Sequence, residues 1–326
     1  MDAGEFDPIS VDENYDGDSA LGDDELSDTT SIASSIMKHR YEHGRRYHKF
    51  REGAYWGPND DLQNEHLDIG HHMYKLVLED RLLLAPVGNN VQRALDVGCG
   101  TGIWAIEFAE DHPESQVFGV DLSPIQPSII PPNCTFMIDD CTQAWSFPKD
   151  HFDLVHIRAL FGSVADWPAF YKEAFEHTKP GGWINQLEMS IIPKSDDGSL
   201  TQDHLLSEWA RLFIEAAEKF GKSFVVINDM KQRIIDAGFE DVTEVRYKVP
   251  LGMWPSNPAL KEIGRWDLLY CYQGCEGWAL FLLTNVMGWE AEDVKKLVAR
   301  YKEALRDPKV HAYWEFSVVY GRKPAE

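Results

Sequence analysis

The stretch Arg93 to Gly102, RALDVGCGTG, followed by Ile103 to Asp111, IWAIEFAED, decides the fold. Ala94, Leu95 and Val97 read as the end of a buried strand, the glycines punctuate a tight turn, and the next nine residues carry apolar spacing that predicts a helix. Glycine lets a backbone approach a ligand where a Cβ would collide. The free N–H groups of a helix's first turn favour a polar or anionic group. A strand, a Gly-rich turn and a helix in this order predict a site for a nucleotide-like ligand.

Two ligand classes use that architecture. Gly100-Thr-Gly102-Ile-Trp-Ala105 satisfies the relaxed dinucleotide fingerprint, and Asp121 lies about where a ribose-binding acid is expected. The fuller string Asp96-Val-Gly98-Cys-Gly100-Thr-Gly102 resembles motif I of class I S-adenosylmethionine (SAM) methyltransferases. That resemblance implies that Asp96 orients the aminoacyl part of SAM and that the glycines admit it. An NAD-dependent oxidoreductase is the weaker reading, because no recognisable Tyr-x-x-x-Lys pair accompanies the motif. An ordinary βα turn, with glycines serving packing alone, is the bland alternative.

Downstream, strands keep alternating with helices. Gln116–Val120 ends at Asp121, Cys134–Ile138 ends at Asp139 and Asp140, and further strands are expected at Phe152–Ile157, Trp183–Met189, Val242–Val249 and Tyr313–Tyr320. Helical patterns cover DWPAFYKEAFEH, LLSEWARLFIEAAEKFG and INDMKQRIIDAGF. The fold expected is α/β: a doubly wound, seven-stranded Rossmann-like sheet with both faces covered. In such sheets ligands bind beyond the carboxyl ends of the strands, and each of these acids falls at such an end. Asp121 offers two acceptor oxygens to a ribose diol, with Leu122 beside it, and Asp139 or Asp140 would lie near an adenine edge.

Upstream, the chain changes character twice. Residues 1–37 have no Lys or Arg and are rich in Asp, Glu, Ser and Thr. They are expected to form a disordered acidic tail, with Thr29 to Ser35 as an alternative docking or phosphorylation segment. Residues 38–90 begin basic and aromatic. Leu62, Leu67, Ile69, Met73, Leu76 and Val77 then follow at helical spacing, so a helical segment covering the cofactor is expected. The catalytic domain spans 91–326. Its region 250–312 is far longer than an ordinary connection and holds Trp254, Trp266, Tyr270, Tyr272, Trp278, Phe281 and Trp289. It is expected to form a helical insert that, with Tyr47 to Trp56, lids a flat, apolar acceptor; rings buried in added helices are the alternative.

Composition narrows the partners. The formal net charge of −23 argues against nucleic-acid phosphate as the main partner. No apolar run reaches membrane-spanning length and the acidic start is not a signal peptide, so a soluble, intracellular protein is expected, cytoplasmic with the nucleus as the alternative. Five scattered cysteines read as free thiols, and neither they nor the clustered histidines form a metal pattern.

The segments YHKFREGAYWGPND, HLDIGHHMY, LDVGCGTGIWAIEFA, GVDLSPIQP, NCTFMIDD, FDLVHIR, GSVADWPAFYKEAF and KPGGWINQLEM together resemble the LaeA-like methyltransferases of filamentous fungi. The likeness is strongest from about Tyr41 to Glu188, and GVDLSPIQP paired with GCGTGIWA is its most specific part. It implies SAM as cofactor and Asp96, Gly98, Cys99, Gly100, Gly102, Asp121, Leu122, Asp139 and Asp140 as its binding residues. It also implies a role in fungal secondary metabolism. That role is methylation of a small molecule or, alternatively, regulation together with a velvet-type partner protein. One departure stands out: Glu65-His66 replaces the family's acid and Arg, which puts an Arg contact to the cofactor carboxylate at that point in doubt. No catalytic residue is assigned. His156 and Glu188 are the only candidate bases, while His156 and Arg158 are read as packing or an ion pair as readily as ligand contacts.

Overall fold

The computed structural model describes residues 39–325; the acidic tail and its Thr29 to Ser35 segment lie outside the described residues. At the centre is β3 (Arg93–Val97), a five-residue strand almost wholly buried, as befits a strand covered on both faces. β4 (Gln116–Asp121), β5 (Cys134–Ile138), β6 (Phe152–Arg158) and β7 (Thr178–Met189) pair with it and with one another in parallel. β9 (Tyr313–Arg322) enters antiparallel between β7 and β8 (Glu240–Pro250). The order is β5-β4-β3-β6-β7-β9-β8, so strand order reverses between β3 and β6. The glycine turn leaves the sheet at that reversal, where an open α/β sheet forms its ligand crevice.

Helices cover both faces. α2 (Ile103–Asp111) follows the glycine turn and buries Trp104 and Phe108. Trp104 stacks on His156 with ring centroids 3.7 Å apart, and its indole N–H donates to the Leu82 carbonyl at 2.9 Å. α3 (Trp167–His177) starts at Asp166, whose side chain accepts from the Ala169 N–H. α4 (Leu205–Phe220), α5 (Met230–Asp236), α6 (Pro258–Phe281) and α7 (Ala291–Ala304) complete the coat, with α6 running into a π-helical turn at Leu282–Val286. Among the described residues no helix is long and apolar enough to cross a membrane.

Two readings of the N-terminal part need correction. The segment expected to be helical begins with a hairpin, β1 (His39–Glu42) and β2 (Arg45–His48), before α1 (Asp61–Val77). Its two-residue turn, His43-Gly44, has both φ angles positive, the geometry that suits the twist of paired strands. Arg45 then grips Asp60 through two hydrogen bonds of 2.6 and 2.9 Å, and Asp60 in turn caps α1 by accepting from the Gln63 N–H. The second correction concerns the buried face of α1. It comprises Gln63, His66, Gly70, His71, Met73, Tyr74 and Val77, whereas Leu62 is exposed.

Polar residues face inward on α1 because α6 lies against it with glycines at the crossing. A Cβ on Gly274 would sit 2.4 Å from His66, one on Gly277 2.8 Å from Gln63, and one on Gly70 2.7 Å from Tyr270. The close approach stacks His66 on Tyr270 at 4.2 Å, and burial pushes the imidazole down to about 3, which keeps it neutral. The region expected as a helical insert therefore consists of α6 and α7, and α6 is paired with α1 rather than standing alone.

Candidate functional site

The cleft opens where the sequence placed it, over the carboxyl ends of β3, β4, β5 and β6. Asp96, Gly98, Cys99, Gly100, Asp121, Leu122, Asp139 and Asp140 all line it. Gly102 does not. It begins α2 at φ +80°, and a Cβ there would meet the Phe136 ring at 2.3 Å, so this glycine serves the packing of helix on sheet.

Gly100 is held from both sides. Its N–H donates to Asp121 Oδ2 at 2.9 Å, and its carbonyl accepts from the Gln126 side-chain amide at 2.6 Å. Gln126 also donates to the Ser123 carbonyl at 3.0 Å, which ties the glycine turn to the loop after β4. This gives a physical reason for the pairing of GCGTGIWA with GVDLSPIQP. HLDIG is tied in similarly, since the Thr101 hydroxyl donates to Asp68 on α1 at 2.7 Å.

The acids differ in their surroundings. Asp121 accepts from the N–H groups of Gly100 and Ser123, yet burial raises its carboxyl to about 6. Asp96 receives the His156 Nδ1–H at 2.9 Å through one oxygen, while the other, Oδ2, is buried without a partner. Asp140 accepts from both the backbone and hydroxyl of Thr142, and Asp139 accepts from the Asp140 N–H at 2.8 Å.

Positive charge reaches the cleft from Arg158 and Lys222. Arg158, which the sequence left undecided, lies over the Tyr74 ring at 5.0 Å and donates to His71 Nδ1 at 3.1 Å. His71 Nε2 is 3.2 Å from Glu107, which also binds Lys75 at 2.9 Å. Burial and the Arg158 charge hold His71 at about 3, so a neutral ring presents an acceptor to the guanidinium. His66, at the point where the family's Arg was in doubt, faces Tyr270 and Trp278 instead. Sequence reasoning did not single out Asn59, Tyr74 or Lys222 for the cleft, since each arrives from an element remote from the glycine motif.

Neither candidate base lines the cleft. His156 is sealed between Asp96 and Trp104. Glu188, pushed up to about 7 by burial, accepts from the N–H groups of Leu160 and Phe161 and from the Gln186 amide. It buttresses the loop after β6. Among the described residues, no group of three or more His, Cys, Asp or Glu is arranged to hold a metal ion.

Beside the cleft lies a second cavity, walled by Trp56, Phe161, Met189, Ile191, Trp209, Phe213, Phe224, Cys271, Trp278, Tyr301 and Trp314. The two spaces share a partition of sequence neighbours. Tyr55, Leu160 and Tyr270 face the cleft, and Trp56, Phe161 and Cys271 face the second cavity. The aromatic residues expected together as a lid are thus divided. Tyr270 borders the cleft and Trp278 the aromatic cavity, whereas Trp266 lines neither and packs edge-on against His72.

Comparison with known proteins agrees with this geometry. A methyltransferase domain model matches residues 42–244. Methyltransferase pytC of Aspergillus terreus is 38% identical over 299 residues, covering 91% of this chain and 92% of that protein. Secondary metabolism regulator LAE1 of Cochliobolus heterostrophus is 36% identical, covering 87% and 95%. Protein-methionine methyltransferase laeA of Emericella nidulans is 34% identical, covering 93% and 81%. The chain belongs to the LaeA-like family of methyltransferases that use S-adenosylmethionine as cofactor.

Proposed function

We propose that this methyltransferase acts on a small molecule of secondary metabolism, with the cofactor seated in the cleft above β3 and β4. The observation that carries the reading is the roof. Leu67 and Tyr74 of α1, Tyr270 of α6 and the Tyr55 to Asn59 stretch all border the cleft from outside the sheet. A site so covered favours an acceptor that enters whole over a side chain presented on a protein surface. The name of pytC, a methyltransferase, supports the reaction class.

The residues present suit the cofactor. Asp96 Oδ2, buried and unpartnered, would accept from the ammonium of its aminoacyl end, and Arg158 would receive the carboxylate. Asp121 would accept from the ribose hydroxyls with the lone pairs that Gly100 and Ser123 leave free, and Leu122 would pack under the ring system. Asp139 and Asp140 would border the base. When bound, SAM supplies a methyl group already activated by its sulfonium charge. The chain's contribution is then alignment and exclusion of water, for which α1, α6 and the Tyr55 to Asn59 stretch are placed. The Tyr55 to Asn59 stretch, α1 and α6 accordingly serve as the cofactor-covering elements of the domain.

Calorimetric titration tests the cofactor assignment: SAM and S-adenosylhomocysteine should bind and NAD should not. Comparing metabolites of a deletion strain with its parent tests the acceptor. A metabolite lacking one methyl mass in the deletion strain is expected, and an unchanged methylation pattern would overturn the reading. A second reading is a SAM-binding regulator working with a velvet-type partner, cytoplasmic or nuclear. It draws on the regulator named LAE1 and on laeA, named a protein-methionine methyltransferase. Recovery of a velvet-type protein with the chain, together with no small-molecule product, would favour it.

A further inference from the structure

The aromatic cavity contains no feature that the cofactor needs, yet it lies one residue away from the cleft along three separate segments: Tyr55-Trp56, Leu160-Phe161 and Tyr270-Cys271. Its walls are apolar. Trp56, Trp209, Phe213, Phe224 and Trp314 are buried, and Trp209 stacks on Tyr301 at 3.9 Å. Aromatic walls with offset-stacked and edge-on rings match flat rings better than aliphatic chains, because the ring quadrupoles order a planar guest.

A polar group waits behind that wall. Asp267, one turn before Cys271 on α6, has no exposed surface, and its Oδ2 lacks a hydrogen-bond partner. The side chains within reach of it are the Trp314 indole and Cys271, whose Sγ is 3.9 Å from Oδ1. The indole N–H of Trp314, which lines the cavity, is likewise buried and makes no well-formed hydrogen bond, although the Asp267 carboxyl lies near it. Burial holds the Asp267 carboxyl well above the usual carboxylate range, so it would offer a hydroxyl donor as well as an acceptor. Buried polar atoms of this kind cost stability unless something satisfies them, and Trp314 in the cavity wall with Asp267 behind it suits a single hydrogen-bonding group on a guest.

We infer that the aromatic cavity seats the methyl acceptor, a flat fused-ring aromatic that carries one hydroxyl or carbonyl toward Asp267 and Trp314 and its nucleophilic atom toward the cofactor cleft. The inference rests on the small-molecule reading above and narrows it to a substrate class.

2-Naphthol and naphthalene are the probes, and quenching of the cavity tryptophans is the readout, measured on the full chain saturated with S-adenosylhomocysteine. 2-Naphthol should bind, and about tenfold more tightly than naphthalene. Cys271→Phe, which fills the cavity, should weaken both probes at least about tenfold while S-adenosylhomocysteine still binds. Asp267→Leu should keep naphthalene binding and erase the preference for 2-naphthol. Trp278→Ala, at a partly exposed wall, is the second variant should the Cys271 substitution not fold. The inference is overturned if neither probe binds the wild-type chain, if the Cys271 and Trp278 variants both bind them as wild type does, or if Asp267→Leu retains the full preference. Loss of S-adenosylhomocysteine binding in the wild-type chain would instead sink the cofactor reading, so the two failures are distinguishable.

Discussion

The floor of the cleft is backbone and carboxylates at the ends of adjacent strands, whereas the aromatic cavity next to it takes its walls from residues scattered between Trp56 and Trp314. The first is built by turn geometry. Gly98 and Gly100 adopt positive φ, Asp121 fixes the Gly100 N–H, and Gln126 fixes its carbonyl. The second is built by side-chain volume, with α4, α6, α7 and β9 each contributing one or two rings. A site of the first kind is specified by short contiguous motifs and tolerates little local change. A site of the second kind depends on packing between distant elements and can alter its occupant by exchanging a ring.

The sharpest way to break that contrast is at Gly100. Its φ is +57°, and an added Cβ would lie 3.3 Å from Leu67 while occupying the floor of the cleft. Gly100→Val should abolish measurable binding of SAM by titration, and the strained backbone should cost the fold about 1–3 kcal/mol. A variant that binds SAM normally would show that the turn does not approach the cofactor.

Arg158 should come next. Arg158→Ala removes the guanidinium proposed to receive the cofactor carboxylate and should weaken SAM about 10- to 100-fold, the range for losing a hydrogen bond to a charged group. His71→Leu tests the positioning of that guanidinium, since it removes the 3.1 Å acceptor without touching the cleft lining. It should weaken SAM by less than Arg158→Ala does. Equal losses would mean that His71 shapes the cleft in some other way.

Asp121 sharpens the comparison through pH. Burial raises its carboxyl to about 6, so the free chain keeps a proton there that the unfolded chain would lose. That contribution to stability is present below the unfolded value and fades as pH rises through about 6. Cofactor binding runs the other way, because ribose hydroxyls donate best to the ionised carboxylate. Affinity should therefore fall as pH drops below about 6, and Asp121→Asn should flatten this dependence. Asp121→Ala at neutral pH should cost roughly 1–3 kcal/mol of binding. Binding to the aromatic cavity, with no ionised wall, should be flat across the same interval.

What the sequence revealed follows the same division. RALDVGCGTG and the acids after β4 and β5 were legible because each motif is a local conformation with a local purpose. The five parallel strands were legible because buried parallel strands read as apolar runs. The hairpin at His39–His48 was not, since HRYE and RRYH carry no apolar alternation and are held by Arg45 on Asp60, a contact across fifteen positions. The inward face of α1 was misread for a related reason. Hydrophobicity pointed to Leu62, but the glycines of α6 draw His66 and Gln63 inward, and those glycines lie some two hundred positions away. Arg158 was undecided because its partner, His71, can be matched to it only in three dimensions.

The smallest effect belongs to Trp266, and it tests whether aromatic richness alone marks an acceptor site. From composition, Trp266, Tyr270 and Trp278 were equivalent. In the structure Tyr270 borders the cleft, Trp278 borders the aromatic cavity, and Trp266 spends its indole N–H on Glu262 at 2.9 Å while its ring meets His72 at 4.3 Å. Tyr270→Ala should lower SAM affinity, and Trp278→Ala should raise KM for an identified acceptor with little change in SAM affinity. Trp266→Ala should leave both constants near wild type, with a loss of stability of about 1 kcal/mol from the edge-on contact and the partly exposed hydrogen bond. If Trp266→Ala instead reduced acceptor turnover as much as Trp278→Ala, rings on the outer face of α6 would have to reach the acceptor. The division between a buried aromatic seat and an ordinary helix surface would then be wrong.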